Sequence, residues 1–220
     1  MKFTHTARRF GASILSAAML ALPLSAAAAD GGLTPYAQMP AGIYGADKTH
    51  TSLTWKVSHV GLSNYTARFK DVNADLKYDP SDVTKSTLVA TVNPASIETD
   101  YGVQNGRDFN KELKEDKWFN VAKFPEIKFV STSIEKTGDT TALIHGNLTL
   151  LGVTKPLTLN ATFNGAFASQ PFSKKPTLGF SASGVVKRSD WGLSTYAPMI
   201  GEEVTIQIET ELAKKDVLSK

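Results

Sequence analysis

Few residues in this chain are of a type that does chemistry, and their spacing assembles no reaction centre. There is no cysteine. That excludes a thiol nucleophile, a zinc-thiolate site, an iron–sulfur cluster and a disulfide framework. His50, His59 and His145 are the histidines outside the N-terminal leader described below. His50 and His59 share one extended stretch at odd spacing, so they leave it on opposite faces. Neither His-x-His nor His-Glu-x-x-His occurs, and no metal site is expected. The chain has no Gly-x-Ser-x-Gly elbow, and no Ser-x-x-Lys followed by its partner motifs. Glu202 and Glu203 are adjacent, so an extended chain sends them apart instead of pairing them as a glycosidase would. No glycine-rich phosphate loop precedes a helix. Asn-x-Ser/Thr triplets at Asn64, Asn147 and Asn160 carry no functional weight in a threonine-rich β protein. Recognition by shape is therefore a better expectation than catalysis.

The positioning elements begin after a leader. Lys2, Arg8 and Arg9 precede an apolar stretch from Phe10 to Leu24, and Ala26 to Ala29 follow. Those are the three regions of a secretory signal peptide, so residues 1–29 are expected to be cleaved and the protein to reside in a bacterial periplasm. The leader takes three bases and no acid, so 24 basic and 21 acidic residues become 21 and 21. A neutral mature chain has no electrostatic footprint for nucleic acid, and no polybasic patch for an anionic membrane. At 220 residues, 41% hydrophobic, the chain suits one domain. Residues 30–41, rich in Gly, Pro and Ala, are expected as a flexible lead-in to a single domain over 42–213.

Alternation with period two dominates that domain and marks half-buried strands. Leu53, Trp55, Val57 and His59 share one face over 51–59. A second strand is expected over 69–78, with Phe69 at its start and Leu76 and Tyr78 on one side. Leu88, Ala90 and Val92 form the next face, then Ile127 and Phe129, then Ile144, Leu148 and Leu150. Leu157, Leu159, Ala161 and Phe163 continue it, followed by Phe180, Ala182 and Val186, and by Val204, Ile206 and Ile208. With Gly42 to Ala46 as a short edge strand, roughly eight or nine strands result. Gly152-Val153 is expected as a two-residue type II′ hairpin loop. The segment from Arg107 to Lys117 breaks the pattern. Phe109 and Leu113 lie one helical turn apart there, so a short amphipathic helix is expected, with Asn105 as its N-cap. An all-antiparallel chain of this size closes as a barrel or stacks as a sandwich, and periodicity alone does not choose. A barrel interior is either filled by side chains or hollow for a ligand.

Several motifs carry a resemblance. Tyr44-Gly-Ala-Asp47-Lys-Thr-His50, running on through Trp55 and His59 to Gly61, is similar to the opening of the YceI-like family. Arg68-Phe69, Ser96-Ile97-Glu98-Thr99-Asp100 and Arg107-Asp108-Phe109-Asn110 fit the same family in order. So do Trp118-Phe119-Asn120, Gly146-Asn147-Leu148 through Thr154-Lys155-Pro156, Arg188-Ser189-Asp190-Trp191-Gly192, and Ile200-Gly201 through Val204. One departure is Phe109-Asn110, where the family commonly has a histidine after its Arg-Asp pair. The resemblance implies a lipocalin-like, eight-stranded antiparallel barrel with one short helix and an elongated apolar cavity. It implies a polyisoprenoid or quinone-type lipid as ligand, with no other cofactor, and links to acid or base stress and to quinone handling. On that reading the apolar faces named above line the tube. His59, Arg188 and Trp191 are candidates for the ligand's polar head. Each has a plainer role: His59 as a hydrogen-bonded interior residue, Arg188 paired with a carboxylate, Trp191-Gly192 as a turn. A binding and carrier role is expected. An enzyme acting on such a lipid, or a stress protein working through a protein partner, are the alternatives. Transient membrane contact and a homodimer are both compatible with this.

Overall fold

The structure, a computed structural model, describes residues 32–216. The leader, its cleavage position and the first residues of the lead-in lie outside the described residues. The strands are β1 (Gly42–His59), β2 (Ser63–Phe69), β3 (Val72–Tyr78), β4 (Thr87–Val92), β5 (Ile97–Glu98), β6 (Val103–Gln104), β7 (Arg107–Asp108), β8 (Ile127–Lys136), β9 (Thr141–Leu150), β10 (Val153–Phe167), β11 (Thr177–Lys187) and β12 (Ile200–Lys214). One α-helix, α1 (Phe109–Glu112), follows β7. Eight of the strands close an antiparallel barrel in the order β1-β3-β4-β8-β9-β10-β11-β12, and β12 pairs back onto β1. Closure removes the free edges of the sheet and creates one interior.

β1 is one strand of 18 residues, where two were expected, and Gly42 to Ala46 is not an edge. Its first part pairs with β3 from Gly42↔Tyr78 to Gly45↔Asp75, and its second with β2 from Leu53↔Phe69 to His59↔Ser63. The expected strand over 69–78 is correspondingly two strands, broken at Lys70-Asp71. β2 carries the short β5 on its far side. Beyond β5 the wall is completed by the connection 93–126. Its Ile97 and Leu113 bury against Leu53, Phe69, Val72 and Val92, with Trp118 and Phe119 packed beside them.

Alternation holds because each strand buries one face. In β8 it is reset. Ile127 and Phe129 face inward, a register shift falls between Ser131 and Ser133, and Ile134 then faces inward too. A bulge of this kind flips the parity of everything beyond it. The β9–β10 hairpin also differs from expectation. Its loop is Leu151-Gly152, one residue earlier, with φ of 51° and 74°. Two positive φ angles make it type I′, not type II′. Asn105-Gly106, likewise at positive φ (52° and 77°), turns the β6–β7 hairpin. Asn105 is therefore not the helix cap. Asp108 is, with its carboxylate accepting from the Lys111 N–H at 2.9 Å.

The lead-in is tied to the barrel at several points from Thr34 onward. Met39 is 2% exposed in a cluster with Tyr44, Leu76, Tyr78 and Leu178. Tyr78 Oη donates to the Tyr36 carbonyl (2.8 Å), Tyr44 Oη to the Pro40 carbonyl (2.7 Å), and the Thr34 N–H to the Ala166 carbonyl (2.7 Å). Burial pushes both tyrosine hydroxyls up to about 12. Gly- and Pro-rich composition suggested looseness, but these backbone carbonyls find fixed donors on the barrel.

Gly146 lies on the inward face of β9, where Phe129 crosses it. A Cβ there would collide with the Phe129 ring and sit 2.5 Å from the Val130 carbonyl oxygen. Gly146→Ala is expected to cost about 1–3 kcal/mol by overpacking, read as a lower urea midpoint at unchanged slope.

Candidate functional site

The inward faces enclose a cavity of about 710 Å³ whose wall is overwhelmingly apolar. Leu53, Trp55, Val57 and His59 contribute from β1, Phe69 from β2 and Leu76 from β3. Leu88 comes from β4, Ile127 and Phe129 from β8, and Ile144, Leu148 and Leu150 from β9. Leu159 and Phe163 come from β10, Phe180 and Ala182 from β11, and Val204 and Ile206 from β12. Of the residues selected from sequence, Trp191 alone is absent from this wall.

Trp191 is 4% exposed and packs against Leu148, Leu150, Leu157 and Val186 outside the cavity, its indole N–H donating to the Leu148 carbonyl at 3.3 Å. It ends a 3₁₀ turn (Arg188–Trp191), and Gly192 reverses the chain at φ 86°. The plainer role assigned to it above is the observed one. Arg188 touches the wall but is committed elsewhere. Its guanidinium donates to the carbonyls of Gly201 (2.7 Å), Leu193 (2.7 Å), Thr195 (3.0 Å) and Ile200 (2.8 Å). Its partners among the described residues are thus backbone carbonyls and not the carboxylate that the plainer reading expected. Burial lowers its pKa, partly offset by nearby Glu202. Its planar fork matches several converging carbonyls in a way a lysine cannot. His59 is exposed, at the β1 end of the cavity.

The two ends of the tube differ. At the end where β1 finishes, the wall includes Val60, Tyr65, Tyr101, Arg107, Phe109, Trp118, Tyr196 and Met199. Phe109 meets Tyr65 edge-on at 5.8 Å and Tyr101 at 5.7 Å, and Arg107 lies over Phe109 at 4.8 Å. Arg107 Nε also donates to Glu112 (2.7 Å). At the opposite end the wall includes Tyr36, Lys136, Gly138, Asp139, Thr140 and Thr141, together with Tyr78, Val83, Ser86 and Leu212. Sequence reasoning missed the first group. Tyr65 was recoverable, because it sits directly across from Val57 and shares its face. The hairpin of Tyr101 and Arg107 was signalled only by Asn105-Gly106, read as a cap.

Trp55 adds a detail that no pattern shows: its indole N–H is buried without a hydrogen-bond partner. Asn110, the second residue of the Phe109-Asn110 pair singled out above, is turned into the protein. Its Oδ1 accepts from the Thr99 N–H (2.9 Å) and hydroxyl (2.7 Å), and its Nδ2 donates to Glu98 (2.9 Å). Neighbouring Phe109 is the residue that faces the cavity.

A closed antiparallel barrel around an apolar tube defines a ligand-binding β-barrel protein. The YceI-like domain model matches residues 44–212, and the chain belongs to that family. A UPF0312 protein from Pseudomonas fluorescens is 34% identical over 199 residues, 90% of this chain and 100% of the relative. The crystal structure of a Campylobacter jejuni YCEI protein superposes with a TM-score of 0.63 at 29% identity, covering 73% of this chain and 91% of that one. A polyisoprenoid binding domain from Saccharophagus degradans shares the fold with a TM-score of 0.54 at 14% identity, covering 80% and 100%.

Two outcomes are expected. Arg188→Leu strips four carbonyls of their donor and should cost about 3 kcal/mol or more. Arg188→Lys should rescue little of it, both read by chemical denaturation. Glu98 is lowered from 4.5 to about 2, first by Asn110, then by the Asp100 N–H and Lys70. A depressed carboxylate stabilises fully above its unfolded value and loses that contribution as pH falls through about 2. Asn110→Ala should return Glu98 toward ordinary glutamate values and move acid unfolding to higher pH, seen by carboxyl NMR titration and by circular dichroism.

Proposed function

We propose that the protein is a periplasmic binding and carrier protein for a polyisoprenoid or isoprenoid-quinone-like lipid, whose tail occupies the barrel. The observation that carries this reading is the apolar tube itself, about 710 Å³ and walled by the inward faces of all eight barrel strands. That volume is within the range of small-molecule sites. Burial of a CH₂ is worth roughly 0.8 kcal/mol. Three or four isoprene units then supply on the order of 10 kcal/mol gross, less the ordering of a flexible tail. Such a ligand needs few polar contacts. The charged groups on the wall sit only at its ends, Lys136 and Asp139 at one and Arg107 and Arg188 at the other. This favours holding a molecule over transforming it. The polyisoprenoid-binding role of the S. degradans domain supports the same ligand class.

The tail's polar end is assigned to the β1 end of the tube. Trp55 offers its unpartnered N–H on that side, and an unmet buried donor costs about 1–3 kcal/mol until an acceptor arrives. Export through the cleaved leader would place this carrier in the aqueous compartment where a membrane lipid needs an enclosed container.

Native mass spectrometry of protein expressed with its leader and purified without detergent should show one bound lipid that extracts as a prenyl compound. Ala182→Trp, which fills the tube from β11, should keep the circular dichroism spectrum and lose affinity for the C20 prenyl alcohol geranylgeraniol by tenfold or more. A wild-type protein that emerges empty and takes up no geranylgeraniol refutes the reading.

A further inference from the structure

The two ends of the tube differ in what their cavity-lining residues present to the outside; at the other end Leu33, Ile43 and Phe172 are exposed but do not line the cavity. Around the β1 end stand five exposed apolar side chains: Val60 (45% exposed), Leu62 (87%), Val103 (70%), Tyr196 (56%) and Met199 (59%). They come from three separate segments, which are the β1–β2 turn, the β6–β7 hairpin and the connection between β11 and β12. The segments are joined. The Val60 N–H donates to the Met199 carbonyl (2.7 Å), the Trp118 ring meets Tyr196 at a tilt with centroids 6.0 Å apart, and the hairpin is fixed by Phe109 between Tyr65 and Tyr101. Val60, Tyr196 and Met199 also line the cavity, so the exposed apolar surface is continuous with the tube. At the other end the exposed wall residues are Lys136, Asp139, Thr140 and Thr141.

We propose that the β1 end is a docking face for a phospholipid bilayer, with Leu62 and Val103 seated among the lipids and the cavity mouth opening onto them. This rests on the carrier reading above. A lipid tail that moves between membrane and barrel must not cross water. A mouth whose rim is itself apolar allows that, and among the described residues the exposed large apolar side chains that also line the cavity, Val60, Tyr196 and Met199, all stand at this mouth. Over residues 107–117 four cations, Arg107, Lys111, Lys114 and Lys117, are balanced by four acids, Asp108, Glu112, Glu115 and Asp116. Arg68 pairs with Asp100 (2.7 Å), and Arg107 with Glu112 (2.7 Å). Docking is therefore apolar in origin and should not require anionic lipid or weaken steeply with salt. A partly inserted rim of five side chains gives weak, reversible attachment, as a carrier requires.

Leu62 and Val103 touch the bilayer in this arrangement but do not line the cavity. The double variant L62D/V103D therefore separates docking from tail binding. Flotation with phosphatidylcholine vesicles at low and high salt, together with geranylgeraniol binding in solution, reads both. Wild type should float with the vesicles at both salts. L62D/V103D should lose vesicle binding about tenfold or more, with geranylgeraniol affinity unchanged. Phe172→Asp, which alters a 90% exposed residue on the β10–β11 connection at the other end, should float like wild type. Wild type that binds geranylgeraniol but ignores the vesicles overturns the docking proposal alone. Equal flotation of wild type and L62D/V103D does the same. Absence of geranylgeraniol binding in wild type removes the carrier reading itself, whatever the vesicles show.

Discussion

The pairing of β12 with β1 is the interaction on which the rest of the structure depends. It turns a twisted sheet into a barrel, and the inside of a barrel is fixed by parity: residues two apart along each strand face the same interior. Without closure, the apolar faces of eight strands would need a second layer to cover them. With it they cover one another around a common space. Whether that space is filled or hollow is decided by side-chain size. Here Ala74, Ala90, Ala142, Ala161 and Ala182 stand on the wall among larger residues, and a tube remains between them.

Closure also explains why β1 is so long. It serves two neighbours in turn on one edge, β3 and then β2, while the other edge is held by β12. Where β2 replaces β3 the regular sheet gives way to the connection 93–126, and it is there that the mouth is built. The Phe109 cluster and the Glu98–Asn110–Thr99 hydrogen bonds hold that connection as a fixed wall. Asn110 stitches the wall from behind and Phe109 faces the tube, so this mouth is edged with aromatic rings.

Much of the strand pattern was legible because period two depends only on which face is buried, and closure makes burial uniform. Leu148 and Ile206 needed no knowledge of their neighbours to be placed inside. What was not legible depends on contacts far away in sequence. Nothing local distinguishes Trp191, buried against wall residues without lining the cavity, from Trp55, which lines it. Arg188 satisfies carbonyls up to thirteen residues further along the chain, and a lone arginine carries no mark of that. The shift at Ser131–Ser133 changes the parity of Ile134 without a glycine or proline to announce it. The packed lead-in is invisible for a similar reason. Tyr44 and Tyr78 hold it through their hydroxyls, and composition reports only that the segment lacks a period of its own.

The difference between the two mouths has the same origin as the tube. Strand ends must be joined by loops, and a loop at a barrel mouth can satisfy its backbone within its own hairpin and the adjoining strand or with other loops. The β8–β9 turn does the former. The Thr137 N–H closes on the Thr141 carbonyl (2.9 Å) and the Thr140 carbonyl accepts from the Phe163 N–H of β10 (2.7 Å), while Lys136, Asp139, Thr140 and Thr141 are exposed. At the β1 end the loops bond to one another instead: Val60 to Met199, Thr195 to Lys117, and Arg188 to the carbonyls of Leu193 and Thr195. Backbone groups met in this way no longer need polar side chains around them. The side chains at that mouth are thus free to be apolar and exposed, which an isolated loop in water tolerates poorly. An internally bonded rim is what permits this barrel to end in an apolar opening, and it ties the chemistry of the surface to the chemistry of the interior.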